Sequence, residues 1–146
     1  MTTTAQAVAD LKSGLENTSA AKRFSDADLE AVYALAYGVY KQGQYEKAAS
    51  QFGFLTLYRP TNARFLKGLG ACQFVQRAYA QAAGTYSFLV MLHPEDAEAV
   101  CLWGHALLLT GDKTRARLAL ARAIELPGAS EATHARAKAL LALLGR

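Results

Sequence analysis

At 146 residues the chain has room for one domain with a substantial core, and 52% hydrophobic against 19% charged residues excludes a disordered tail or linker. A net charge of +4 is too small an excess to imply nucleic acid, and no run approaches the roughly 18 apolar residues that a membrane-spanning helix needs. Abundant alanine and leucine, with only three prolines, make an all-α fold the expectation.

The N-terminus, MTTTAQAVADLK, lacks the apolar stretch of a signal peptide, so the expected location is the cytoplasm. Ala5, Val8, Leu11 and Leu15 recur at helical spacing and predict a short amphipathic helix over about 4–15, ended by Gly14 and Asn17-Thr18-Ser19. Its apolar stripe must cover either the segment that follows or another subunit. Residues 1–24 are thus set apart from a main domain at 25–146. Ser25 reads as an N-cap, with Asp26 and Asp28 in the first turn behind it. Helices are predicted over 26–42 and 45–58, split by Gly43, then over 62–76, 79–92, 96–110 and 113–126. Gly111-Asp112 makes a turn in which Asp112 caps the next helix. After Pro127-Gly128, Ser130 starts a last helix, 131–144, whose Ala135, Leu140, Leu141 and Leu144 suit a terminal cap.

Residues 29–62 return in register at 63–96 and at 97–130. Leu35, Leu69 and Trp103 share a column, as do Ala36, Gly70 and Gly104. Ala48, Ala82 and Ala116 form another, followed by Phe52, Tyr86 and Leu120. Tyr45 aligns with Tyr79, and Pro60 with Pro94, while Pro127 falls one residue early. This 34-residue period resembles the tetratricopeptide repeat. The columns have a packing reason. Small residues sit where two antiparallel helices cross most closely, a large side chain fills the gap beside them, and proline stops the second helix. One hairpin cannot bury its apolar face alone, so hairpins stack. The resemblance implies a right-handed superhelix of three helix-turn-helix repeats, with an N-terminal helix before it and a C-terminal capping helix after it.

In such a stack the first helix of each repeat lines the concave surface. The positions that face it are Glu30, Tyr33, Tyr37, Tyr40 and Lys41, then Arg64, Lys67, Ala71, Phe74 and Val75, then Glu98, Cys101, His105, Leu108 and Leu109. Tyr33, Tyr37 and Tyr40 are spaced i, i+4, i+7 and make one aromatic stripe. With Val32, Leu35, Ala36 and Val39 available for the core, the stripe reads as a binding surface rather than as packing. The clamp that some repeat proteins use for the acidic C-termini of heat-shock chaperones is missing. Its Lys and Asn positions hold Tyr33 and Tyr37, its next Asn position holds Gly68, and its later cation positions hold Glu98 and Leu102. An apolar, aromatic groove suits an extended peptide with hydrophobic anchors.

The stretches VYALAYGVYKQGQYEKA, from Val32 to Ala48, and RFLKGLGACQ, from Arg64 to Gln73, are similar to the LcrH/SycD family, the class II chaperones of type III secretion. The similarity extends over about 25–126. It implies a cytoplasmic, homodimeric chaperone with the N-terminal helix involved in pairing. The ligand it implies is the N-terminal region of a hydrophobic translocator, carrying an extended P-x-L-x-x-P-type segment. The groove residues it implies are Tyr33, Tyr37 and Tyr40, with Tyr58, Asn62, Arg64 and Lys67 around them, and the repeat positions add Lys41, Ala71, Phe74 and His105 to the candidate site. A scaffold that joins folded partners in a secretion or pilus assembly is the alternative reading of the same repeats.

Other features carry less. Cys72 and Cys101 have no CxxC spacing and read as small buried residues of a protein from a reducing compartment. Gly68-Leu69-Gly70 lies in a predicted helix without a preceding strand, so it reads as packing and not as a phosphate loop. His93, His105 and His134 are scattered, so no metal site is expected, and no cofactor. Lys113, Arg115, Arg117, Arg122, Arg136 and Lys138 carry no interleaved aromatics, and read as solvated helix faces. No nucleophile, base and orienting group can be assembled, so enzymatic activity is not expected. Nucleic-acid binding and membrane insertion are not expected either.

Overall fold

The computed structural model describes residues 3–145. The helices are α1 (Thr4–Glu16), a short 3-10 turn (Ala20–Lys22), α2 (Asp26–Lys41), α3 (Tyr45–Tyr58), α4 (Ala63–Val75), α5 (Tyr79–Leu92), α6 (Ala97–Thr110), α7 (Lys113–Glu125) and α8 (Glu131–Leu144). No strand occurs among the described residues. The chain divides into two compact units after Gln76.

In the first unit, α1 runs through Gly14 to Glu16, close to the expected end. Asn17 ends it, donating from its amide side chain to the Ser13 carbonyl at 2.8 Å. No residue of α1 is buried. Ser25 starts α2 with a capping box: its hydroxyl accepts from the Asp28 N–H while the Asp28 carboxylate accepts from the Ser25 N–H. Gly43, at φ +80°, turns the chain between α2 and α3 in a conformation that a side chain would disfavour. The core joins Leu29, Ala36 and Val39 of α2, Ala48, Phe52 and Leu55 of α3, and Phe65 and Cys72 of α4. Ala36 and Ala48 are fully buried, as their repeat columns require. α3 and α4 approach closely at Gly68. A Cβ on Gly68 would overlap the Phe52 ring, with Cζ only 2.7 Å away.

One core expectation is corrected. Leu35 is 59% exposed, whereas Leu69, at the same repeat position, packs against the core. That position leans on the preceding hairpin, and the first repeat has none. The connector between α1 and α2 is instead fastened from behind. Phe24 packs against Phe54 and Tyr58, with centroids at 5.6 and 4.8 Å. The Arg59 guanidinium donates to the Ala21 and Phe24 carbonyls and pairs with Asp26 at 3.0 Å. At the far end of α1, the Thr61 hydroxyl donates to Glu16 at 2.8 Å.

In the second unit, α6 and α7 cross at Gly104, where a Cβ would meet Leu120 Cγ at 2.8 Å. Ala82, Tyr86, Ala116 and Leu120 are fully buried, in keeping with their columns. Gly111 adopts φ +91° and ends α6, and the Asp112 side chain accepts from the Arg115 N–H to start α7. α8 packs against α6 and α7 through Thr133, Ala137, Leu140 and Leu144. Ala135, expected on that stripe, is exposed. The basic residues of this unit lie on exposed faces, and three of them fasten α7. Arg115 pairs with Asp112 at 2.6 Å, Arg117 donates to the Leu144 carbonyl at 3.1 Å, and Arg122 donates to the Pro94 carbonyl at 3.5 Å.

Candidate peptide-binding site

Helical geometry decides how far each tyrosine of α2 projects. Tyr33 follows Leu29 by four residues and Tyr40 follows Ala36 by four, so both lie on the edge of the buried stripe. Tyr33 and Tyr40 accordingly pack against the core cluster, which corrects the expectation of three rings facing away from it. Tyr37 projects furthest and is 46% exposed. The stripe is therefore one outward ring backed by two anchored ones.

The anchoring is specific. The Tyr33 ring meets Phe52 at 5.9 Å and Phe65 at 5.6 Å, so α3 and α4 both support it. Tyr37 stacks on Tyr33 at 6.2 Å and 15°. Tyr40 meets Tyr45 at 5.3 Å and 61°. Burial, with smaller contributions from Cys72, Tyr45 and Tyr37, pushes the Tyr40 hydroxyl above its usual range, so it remains a proton donor at neutral pH.

Two cations close the row. Arg64 Cζ stands 4.2 Å from the Tyr33 centroid, and Lys41 Nζ stands 4.8 Å from that of Tyr37. Arg64 also pairs with Glu30 at 2.7 Å, across from α4 to α2. Through Arg64, the face of α4 carrying Lys67, Ala71 and Phe74 adjoins the tyrosines, because these residues follow it at helical spacing. Lys67, Ala71 and Phe74 are half-buried.

Two other expected residues have different roles, and a third lies in the second unit. The Asn62 side chain accepts from the Phe65 N–H at 3.2 Å and so caps α4. Tyr58 has its ring in the Phe24–Phe54 cluster at the connector. His105 lies on α6 in the second unit, half-buried, where burial and then Arg136 hold its imidazole below the ordinary value and therefore neutral at pH 7. Cys72 is free and buried, and desolvation pushes its thiol up to about 11, so it is inert. Among the described residues no group of three His, Cys, Asp or Glu could hold a metal ion, and no helix is long and apolar enough to cross a membrane.

The Glu30–Arg64 pair was overlooked as a unit by sequence reasoning, yet a signal existed. The two residues are 34 apart, one repeat period, and so hold the same position in successive repeats.

The tetratricopeptide repeat family profile matches residues 29–62. The chain is 31% identical over 102 residues to the low calcium response locus protein H of Yersinia pestis, covering 70% of this chain and 61% of that protein. PcrH of Pseudomonas aeruginosa, solved in complex with the chaperone binding region of PopB, is 30% identical with a TM-score of 0.76, over 82% of this chain and 98% of PcrH. The type III secretion translocator chaperone SycD of Yersinia enterocolitica, solved in an alternative dimer, is 26% identical with a TM-score of 0.78, over 85% of this chain and 96% of SycD. The all-α tetratricopeptide fold is shared with these structures.

Proposed function

Because the chain belongs to the LcrH/SycD family of type III secretion translocator chaperones, we propose that it holds an extended apolar segment of a hydrophobic translocator against α2 and α4 until export. The observation that carries this reading is the Tyr33–Tyr37 stack, which offers broad apolar surface on a rigid support. Tyrosine suits the role because it gives contact area and a hydroxyl while losing little side-chain freedom. Tyr40, Lys41, Arg64, Lys67, Ala71 and Phe74 complete the surface, and Asn62 contributes by fixing the start of α4. In this reading Tyr58 lies outside the primary contact.

The action is sequestration without chemistry, carried out in the cytoplasm. A segment destined for a membrane is prone to self-association, and the chaperone need only outcompete that and then release. Affinities of about −8 to −12 kcal/mol, micromolar to nanomolar, meet both needs. The test is an anisotropy titration with a labelled peptide of the pattern Pro-Xaa-Leu-Xaa-Xaa-Pro. Saturable binding in that range is expected. No binding of the peptide, with a folded partner captured instead, would favour a scaffold that joins folded proteins.

Self-association is the second part of the proposal, and rests on the SycD dimer together with the apolar surface of α3. Leu57 is 67% exposed and borders a hollow of about 540 Å³ lined also by Ser19, Ala20, Lys22, Arg23 and Tyr58. A homodimer that covers Leu57 is expected. Light scattering coupled to gel filtration should give a dimer mass for the native chain and a monomer mass for Leu57→Glu. An unchanged mass in the variant would exclude Leu57 from the interface.

A further inference from the structure

The Tyr33–Tyr37 stack is bounded by a cation at each end, Arg64 over Tyr33 and Lys41 over Tyr37. A purely apolar ligand makes no use of that arrangement, and laying such a segment over the rings would strip water from both cations without replacing it. Glu30 already shows what compensates. Its carboxylate meets Arg64 at 2.7 Å while the guanidinium rests on the ring. At the Lys41 end the aromatic contact is the same in kind. Of the two cations that border the stack, Arg64 already holds Glu30, so the complementary ligand charge at the Lys41 end is negative.

We infer that the segment bound across Tyr33 and Tyr37 carries an acidic side chain at a non-anchor position, and that its carboxylate pairs with Lys41. This rests on the chaperone reading above and deepens it, since it names the charge of the ligand beside its apolar anchors. Lys41 is then a specificity residue. The anchors provide affinity and fix the position of the segment, and the carboxylate selects among apolar segments and sets their direction along the groove. Arg64 contributes less to selection, because Glu30 and a ligand carboxylate would exchange on it at about half exposure of both partners.

The experiment is a charge-swap cycle. Labelled peptides of the pattern Pro-Xaa-Leu-Xaa-Xaa-Pro carry Glu, Gln or Lys in turn at each non-anchor position. Each is titrated against the native chain, Lys41→Gln and Lys41→Glu, at low salt and at 0.5 M salt. At one position the native chain should prefer Glu over Lys by about 3- to 10-fold, the range of exposed pairs made attractive or repulsive. Lys41→Gln should abolish most of that preference and Lys41→Glu should reverse it, while high salt flattens both. Equal affinities for the Glu and Lys peptides at every position, or a preference unchanged in Lys41→Glu, would overturn the inference and leave the chaperone reading intact. Failure of the native chain to bind any of the peptides would overturn both.

Discussion

Phe52→Ala is expected to destabilise the first unit by about 3–5 kcal/mol, the range for removing a fully buried aromatic ring. Phe52 fills the large-residue column of the first repeat and is fully buried. Its ring lies over the bare Cα of Gly68 and meets Tyr33 at 5.9 Å. Three things are therefore lost together: the transfer energy of the ring, the contacts of the cavity left behind, and the support of Tyr33. Domains of this size have only about 5–15 kcal/mol in total, so the loss is a large share of it. Urea unfolding followed by circular dichroism measures the effect. Gly68 provides the internal check. Gly68→Ala drives a Cβ into the ring and should cost about 1–3 kcal/mol alone, and clearly less in a Phe52→Leu background. Additive effects would mean that the ring does not occupy the space above Gly68.

Tyr37→Ala is expected to weaken binding of the Pro-Xaa-Leu-Xaa-Xaa-Pro peptide by about tenfold or more, the loss of one aromatic hot spot. Tyr37 is the informative position because it stands outside the buried core cluster, so its removal should leave the unfolding midpoint nearly unchanged. Tyr33 and Tyr40 are unsuitable for this purpose. Both pack against that cluster, and their removal would lower stability and binding together. Tyr37→Phe should keep most of the affinity, since the stacking surface remains. Loss of affinity in Tyr37→Phe equal to that in Tyr37→Ala would assign the contact to the hydroxyl instead.

Much of this arrangement was legible in the sequence, for reasons that differ residue by residue. Ala36, Ala48 and Phe52 could be read because close helix crossings and the gaps beside them restrict residue size, and the restriction recurs at a fixed period. Ser25 and Asp112 could be read because capping is local, and both side chains do accept from a backbone N–H three residues on. Leu35 was misread because a repeat column carries no mark that the first copy lacks a predecessor. Tyr33 and Tyr40 were misjudged because a stripe at i, i+4, i+7 fixes a direction along the helix, while their four-residue offsets from Leu29 and Ala36 place them on the core edge. The Arg59 clip was not legible at all. It joins carbonyls 35 and 38 residues away, and no local pattern specifies such a contact.

The central claim is that the tyrosine stack retains an exported, hydrophobic protein. It is tested most directly by affinity purification of the tagged chain from its own cells, with native and Tyr37→Ala chains in parallel and partners identified by mass spectrometry. A secreted protein with membrane-inserting segments should copurify with the native chain and be strongly depleted with the variant. The same partners in the same amounts with both chains would contradict the account and place the working surface elsewhere on the molecule.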